Sequence, residues 1–380
     1  MGESRFAAAV REARATTAAG GRELIDLTLS NPTVCGFQYD VEGVLDGLAA
    51  REALEYDPNP RGMRSAREAV AGYYVDHGAV ELGADSVVLT TSTSEGYGYL
   101  FRLLCDGGDE VLVAEPSYPL FDFLADLEDV RLRAYPLFYD YGWWIDFAEL
   151  ERRIGPRTKA IVLVHPNNPT GHGTRLDERV RIEEICHRHG LALIVDEVFL
   201  DYPVVEGGVN LQSFGVGPHP VLTFVLSGMS KVAGLPQMKV GWMGVLGPEG
   251  LRREALGRLE VIADTFLSMS APVQLALPGW LAGRGKIQEQ ILGRVRGNLA
   301  MVRKAGLEVL EVEAGWSAIL RLRQKGGVGE LAVEVLRETG VVVHPGSFYG
   351  MAEGGWVVVS LIGPMAGFGE GVRRLCEWNA

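Results

Sequence analysis

Cysteine is scarce in this 380-residue chain: Cys35, Cys105, Cys186 and Cys376 are the whole complement, with no CxxC or metal-ligand spacing. That excludes zinc-ribbon and disulfide-scaffold classes and points to free thiols in a reducing compartment. Positive charge is also short, with 36 Lys and Arg against 49 Asp and Glu, a net charge of −13. A general nucleic-acid or anionic-membrane surface is therefore not expected, because both rely on excess basic residues. No run reaches the roughly 18 apolar residues that a membrane helix needs. The stretch from Phe6 to Arg14 lacks the apolar core of a secretory signal, so a cytoplasmic location is expected. Internal repeats, low-complexity tracts and long linkers are missing too.

What is present is an ordinary globular composition, 47% apolar and 22% charged. The length suits two or three domains, or one large α/β domain with a smaller companion. Phe6, Val10 and Ala13 fall at helical spacing, which predicts a short amphipathic arm. Leu24 to Leu29 alternates like a strand and ends in the turn signal Ser30-Asn31-Pro32. Apolar runs at 111–114, 132–136, 160–165, 191–195 and 221–226 are continuous and separated by helical patterns. Such runs indicate a mostly parallel sheet covered by helices on both faces. Ile287, Ile291, Val295, Leu299 and Val302 predict one long helix bridging two domains. Beyond it, shorter strand and helix patterns read as a smaller α+β domain. The expected division is an N-terminal arm with part of the small domain over 1–45, a large domain over 46–285, and a C-terminal small domain over 286–380.

In a sheet of that kind, ligands sit beyond the carboxyl ends of the strands. Four polar motifs fall there: Pro116-Ser117-Tyr118-Pro119, His165-Pro166-Asn167-Asn168-Pro169-Thr170-Gly171, Asp196-Glu197-Val198-Phe199, and Ser227-Gly228-Met229-Ser230-Lys231. Lys231, set among small residues, suits an amine that forms a Schiff base with a carbonyl cofactor. Thr90 to Gly96 lies between a short apolar run and a helical pattern. That arrangement suits a phosphate at a helix N-terminus, and equally a plain run of N-capping hydroxyls.

With these motifs in this order, the chain resembles the class I/II aminotransferases, fold type I enzymes dependent on pyridoxal phosphate. The resemblance implies that Lys231 holds the cofactor and shuttles a proton at the substrate α-carbon. It places Asp196 on the pyridine nitrogen, Asn168 on the ring hydroxyl and Tyr118 against the ring face. Thr93, Ser94, Ser230 and Lys239 would hold the phosphate, with Tyr56 reaching in from a second subunit, so a homodimer with shared active sites is implied. The implied reaction exchanges an amino group between an amino donor and a 2-oxo acid.

Two departures stand out. Phe199 occupies the place where the family usually has a tyrosine that shares the ring hydroxyl. Val358, in Val358-Val359-Ser360, stands where most members carry the arginine that grips the substrate carboxylate. Arg321, or backbone amides near Asn31, are candidates to replace it, and Trp316 and Tyr349 are candidates to line the side-chain site. A carbon–sulfur lyase or decarboxylase would use the same cofactor, and a non-catalytic regulator or scaffold would keep only the fold. Lys231 and Asp196 argue against the last.

Overall fold

The computed structural model describes residues 4–18, 22–205, 211–267, 269–323, 331–351 and 354–380. At its centre is an eight-stranded sheet ordered 87–90, 241–246, 223–228, 192–196, 158–164, 110–115, 131–139 and 143–145. The five strands from 223–228 to 131–139 run parallel. Strand 241–246 is antiparallel to both of its neighbours, and 143–145 is antiparallel to 131–139. The expected apolar runs all lie in the parallel set.

Continuous apolar sequence is required because both faces are covered. Leu193 and Val195 enter one core while Ala192 and Ile194 enter the other, as the two-residue period of a strand dictates. The same alternation splits Leu112 from Val111 and Val113. A polar residue inside such a strand would be buried on either face, so polar chemistry is confined to strand ends.

A second sheet of four antiparallel strands is ordered 308–309, 317–321, 356–360 and 344–345. Helices Leu331–Thr339 and Met365–Asn379 belong to the same C-terminal region. The N-terminal segment joins it: Ile25–Asp26 pairs in parallel with Val341–Val342. The arm forms helix Arg5–Ala18, and its Ala9 packs into a small core with Val333, Leu336 and Val342.

The strand expected over Leu24 to Leu29 shrinks to Ile25–Asp26. The Asp26 carboxylate accepts from the Thr28 N–H and hydroxyl, and this side-chain turn ends the extended run. Helix Gly285–Lys304 buries Ile287, Ile291, Val295, Leu299 and Val302, the face that the spacing predicts. It ties the two sheets together. Gln288 donates to the Val232 carbonyl at 2.8 Å, and Asn298 donates to the Leu361 and Gly363 carbonyls at 2.8 and 2.9 Å.

Candidate active site

The polar edge of the large sheet opens into a cavity of about 550 Å³ that is closed on its other side by the small sheet. Three strands meet there in register: Thr90 ends one opposite Gly241, which begins the next opposite Gly228. Gly228 leads into the single turn Met229–Val232, which carries Lys231.

Lys231 stands between aromatic walls, its Nζ 5.1 Å from the Trp316 ring centroid and 5.8 Å from that of Phe199. Burial lowers its pKa, with the Asp196 charge pulling the other way. An amine so placed reaches its neutral, nucleophilic form more readily than a surface lysine. Asp196 is buried at the end of its strand, where its carboxylate accepts from the Val198 N–H at 3.1 Å and the Tyr97 hydroxyl at 3.2 Å. Burial pushes its pKa up to about 6, and those two hydrogen bonds and Lys231 oppose the rise. Among the described residues no cation forms an ion pair with it. An acid held this way gains from a positively charged partner entering the cavity.

In the 91–96 loop the capping falls to two residues. Ser92 is the N-cap of helix Thr93–Leu104 and accepts from the Glu95 N–H at 3.2 Å, while Glu95 takes the Thr91 N–H at 2.6 Å. Thr93 and Ser94 are then left in the first turn, where N–H groups have no intrahelical partner, and both line the cavity. Opposite them lies Gly241. A Cβ there would sit 2.8 Å from the Ser92 carbonyl carbon and 3.0 Å from the Thr93 nitrogen, so only glycine keeps the cradle open. Ser230 and Lys239 also line the cavity. Lys239 holds a left-handed backbone, φ 54°, a conformation that costs a non-glycine residue about 1 kcal/mol.

Asn168 lies on the opposite wall, its Oδ1 accepting from the Ser317 hydroxyl at 3.1 Å. Tyr118 is part-exposed at the cavity rim, edge-on to Phe121 at 6.1 Å. The loop carrying Asn168 is anchored just beyond it. His172 is buried 3.1 Å from Glu178 and 3.7 Å from Glu313, and Glu313 also takes the Gly173 N–H and pairs with Arg175, each at 2.8 Å. Burial opposes a charge on His172, yet the two carboxylates outweigh it and raise its pKa.

Of the residues singled out in the sequence, Lys231, Asp196, Asn168, Tyr118, Thr93, Ser94, Ser230, Lys239, Trp316 and Tyr349 border one cavity. Three do not. Arg321 is exposed, ion-paired with Glu308 at 3.5 Å, hydrogen-bonded to the Gly354 carbonyl and stacked over Trp356. Asn31 caps the short helix Pro32–Val34, its side chain occupied by the Thr33 N–H and hydroxyl, and its neighbours Thr28 and Ser30 line the cavity instead. Tyr56 is 75% exposed and stands outside this chain's cavity.

The sequence reading missed Tyr97, Ser317 and His344. Tyr97 lies within the helical pattern after the hydroxyl-rich loop, so its position was available although its partner was not. His344 meets the Tyr349 hydroxyl at 3.0 Å, and burial lowers its pKa against the pull of Asp26. Trp316 is both cavity wall and core: it packs edge-on against Phe199 and Tyr202 at 5.5 and 5.0 Å. No arginine lines the cavity among the described residues, and Val358 is buried there.

The family model for aminotransferase class I and II matches residues 41–375. The chain belongs to the class I and II aminotransferases. It is a fold type I enzyme, and the cofactor of that group is pyridoxal phosphate. The glutamate-pyruvate aminotransferase AlaA of Haemophilus influenzae is 29% identical over 272 residues, 72% of this chain and 67% of that protein. An alanine aminotransferase of Mycobacterium tuberculosis is 28% identical over 284 residues, 74% of this chain and 66% of that protein. The aligned stretches thus span about two thirds of those relatives. Among solved structures, an alanine aminotransferase from Pyrococcus furiosus superposes with a TM-score of 0.89 at 23% identity, covering 99% of this chain and 97% of that one. The tyrosine aminotransferase of Leishmania infantum gives 0.86 at 21%, covering 100% and 98%. The cavity fits the cofactor of this family: a glycine-kept cradle beside a helix N-terminus, a buried carboxyl with no ion pair among the described residues, and an amine of lowered pKa lie on one sheet edge.

Proposed function

We propose that this enzyme moves an amino group between an amino acid and a 2-oxo acid, with Lys231 as covalent anchor of the cofactor and as the proton carrier at the substrate α-carbon. The observation that carries this reading is the placement of Lys231 and Asp196. The amine is lowered by burial, and the carboxyl, raised to about 6, awaits a cation. Pyridoxal phosphate, when bound, supplies a carbonyl carbon for amine exchange and a protonated ring that takes up electron density from the α-carbon.

Each protein group then has a task. Asp196 would keep the ring nitrogen protonated, and the Tyr97 hydroxyl and Val198 N–H favour the ionised carboxylate that the pairing requires. The Asn168 amide would donate to the ring hydroxyl, and Tyr118 would cover a ring face. Thr93, Ser94, Ser230 and Lys239 would hold the phosphate. Lys231, held among Trp316 and Phe199 with its basicity reduced, would be able both to take and to return the α-proton.

The exposure of Tyr56, outside its own chain's cavity, supports its use by the neighbouring site of a homodimer. Free Cys35, Cys105, Cys186 and Cys376 support a cytoplasmic location. No helix among the described residues is long and apolar enough to cross a membrane.

The test is a half-reaction. The loaded enzyme is mixed with an amino acid and no oxo acid, and pyridoxamine phosphate is measured against enzyme. One equivalent per site, reversed by a 2-oxo acid, is expected. Continuous release of ammonia or carbon dioxide with the cofactor regenerated would replace this reading by the lyase or decarboxylase.

A further inference from the structure

We infer that Ser317 is a positioning residue that holds the Asn168 amide in place beside the cofactor. The inference rests on the assignment of Asn168 to the ring hydroxyl. An asparagine amide presents an acceptor on one end and two donors on the other, and the two ends have nearly the same shape. A ring oxygen carrying negative charge needs a donor. Left alone, the Asn168 side chain could turn either end to the cavity.

The contact with Ser317 gives the side chain a fixed partner, and the charge on the ring oxygen selects the donor end. The Ser317 hydroxyl donates to Asn168 Oδ1 at 3.1 Å, which occupies the acceptor end and leaves the NH₂ for the cavity. Ser317 is itself held firmly. It opens the strand Ser317–Arg321 in register with Ser360, and the preceding Trp316 accepts from the Leu361 N–H at 2.6 Å while its indole is wedged against Phe199 and Tyr202. The placement of a large-sheet residue is therefore set from the small sheet.

Phe199 raises the importance of this contact. Its ring lies beside Lys231 and offers no hydroxyl, so the Asn168 NH₂ has no helper at the position where a tyrosine would share the load. Losing its placement leaves the ring oxygen's charge less stabilised, and the lysine–cofactor linkage then holds its proton to higher pH.

The experiment is a spectrophotometric pH titration of the bound cofactor in the dimeric holoenzyme, without substrate. Ser317→Ala is expected to raise the midpoint by about one pH unit, and Ser317→Thr, which keeps a hydroxyl donor, to restore it to within about 0.3 unit. Asn168→Ala should shift the midpoint at least as far, and Ser317→Ala added to it should shift it no further. An unmoved midpoint in Ser317→Ala with a shifted one in Asn168→Ala overturns the inference while leaving the Asn168 assignment intact. Additive shifts in the double variant also overturn it, since Ser317 would then act independently. An unmoved midpoint in Asn168→Ala removes the assignment and the inference together.

Discussion

Replacing Asp196 with asparagine should make the cofactor-free protein more stable and the loaded protein less so. Its carboxyl is pushed from 3.8 up to about 6 by burial. Below the lower value the folded and unfolded chains are both protonated and nothing is lost. As pH rises from 3.8 to about 6 the unfolded carboxyl ionises first, and above that the folded state bears the full cost. A shift of about two units corresponds to about 3 kcal/mol.

Asparagine keeps an acceptor for the Val198 N–H but turns NH₂ toward the Tyr97 hydroxyl, which offsets about 1 kcal/mol of that gain. The net is about 2 kcal/mol of stabilisation at pH 8, passing through zero near about pH 4.5 and turning to about 1 kcal/mol of destabilisation below about pH 3. With an unfolding entropy of about 2 cal/mol/K per residue, the melting temperature of the cofactor-free variant should rise by about 2 to 3 °C. Saturating pyridoxal phosphate should reverse the order, because only the carboxylate gains from a protonated ring nitrogen. Calorimetry at pH 4.5 and pH 8, with and without cofactor, reads all four cases. Equal melting points at pH 8 without cofactor, or a gain of the same size at both pH values, would refute the argument that burial of this charge is what the cofactor relieves.

Two further changes probe the walls of the site. Phe199→Tyr, which restores a hydroxyl donor beside Lys231, should lower the spectral midpoint of the bound cofactor by about one unit, and an unchanged midpoint contradicts the account. Gly241→Ala drives a Cβ against the Ser92–Thr93 backbone, which cannot yield as a flexible side chain would. It should cost about 1–3 kcal/mol in stability and weaken cofactor binding at least about tenfold by fluorescence titration. Binding within twofold of the parent would show that the cradle is not where the phosphate rests.

The parts of the site legible in sequence share one physical cause. Where a sheet is buried on both faces, polar residues collect at strand ends, so Tyr118, Asn168, Asp196 and Lys231 could be placed on one edge from their position after apolar runs. What stayed hidden depends on contacts distant in sequence. Ser317 meets Asn168 across 149 positions and Tyr97 meets Asp196 across 99, and neither carries a local signal. Arg321 was open to a site role because nothing nearby in sequence reveals that Glu308, Trp356 and the Gly354 carbonyl hold it outside the cavity. The Asn31 side chain is taken up in the turn that its Ser-Asn-Pro signal announces, which leaves the cavity lining to its neighbours Thr28 and Ser30. The antiparallel course of strand Gly241–Leu246, which brings Gly241 back to the polar edge beside Thr90, has no local signal either.

The central claim is that Lys231 is the covalent anchor. Borohydride reduction of the loaded enzyme fixes the cofactor to whichever amine holds it, and peptide mass mapping then names that residue. The account predicts one pyridoxyl group per chain, on the peptide containing Lys231, and none in Lys231→Ala. A label on another lysine, Lys239 included, or a full label surviving in Lys231→Ala, would contradict it.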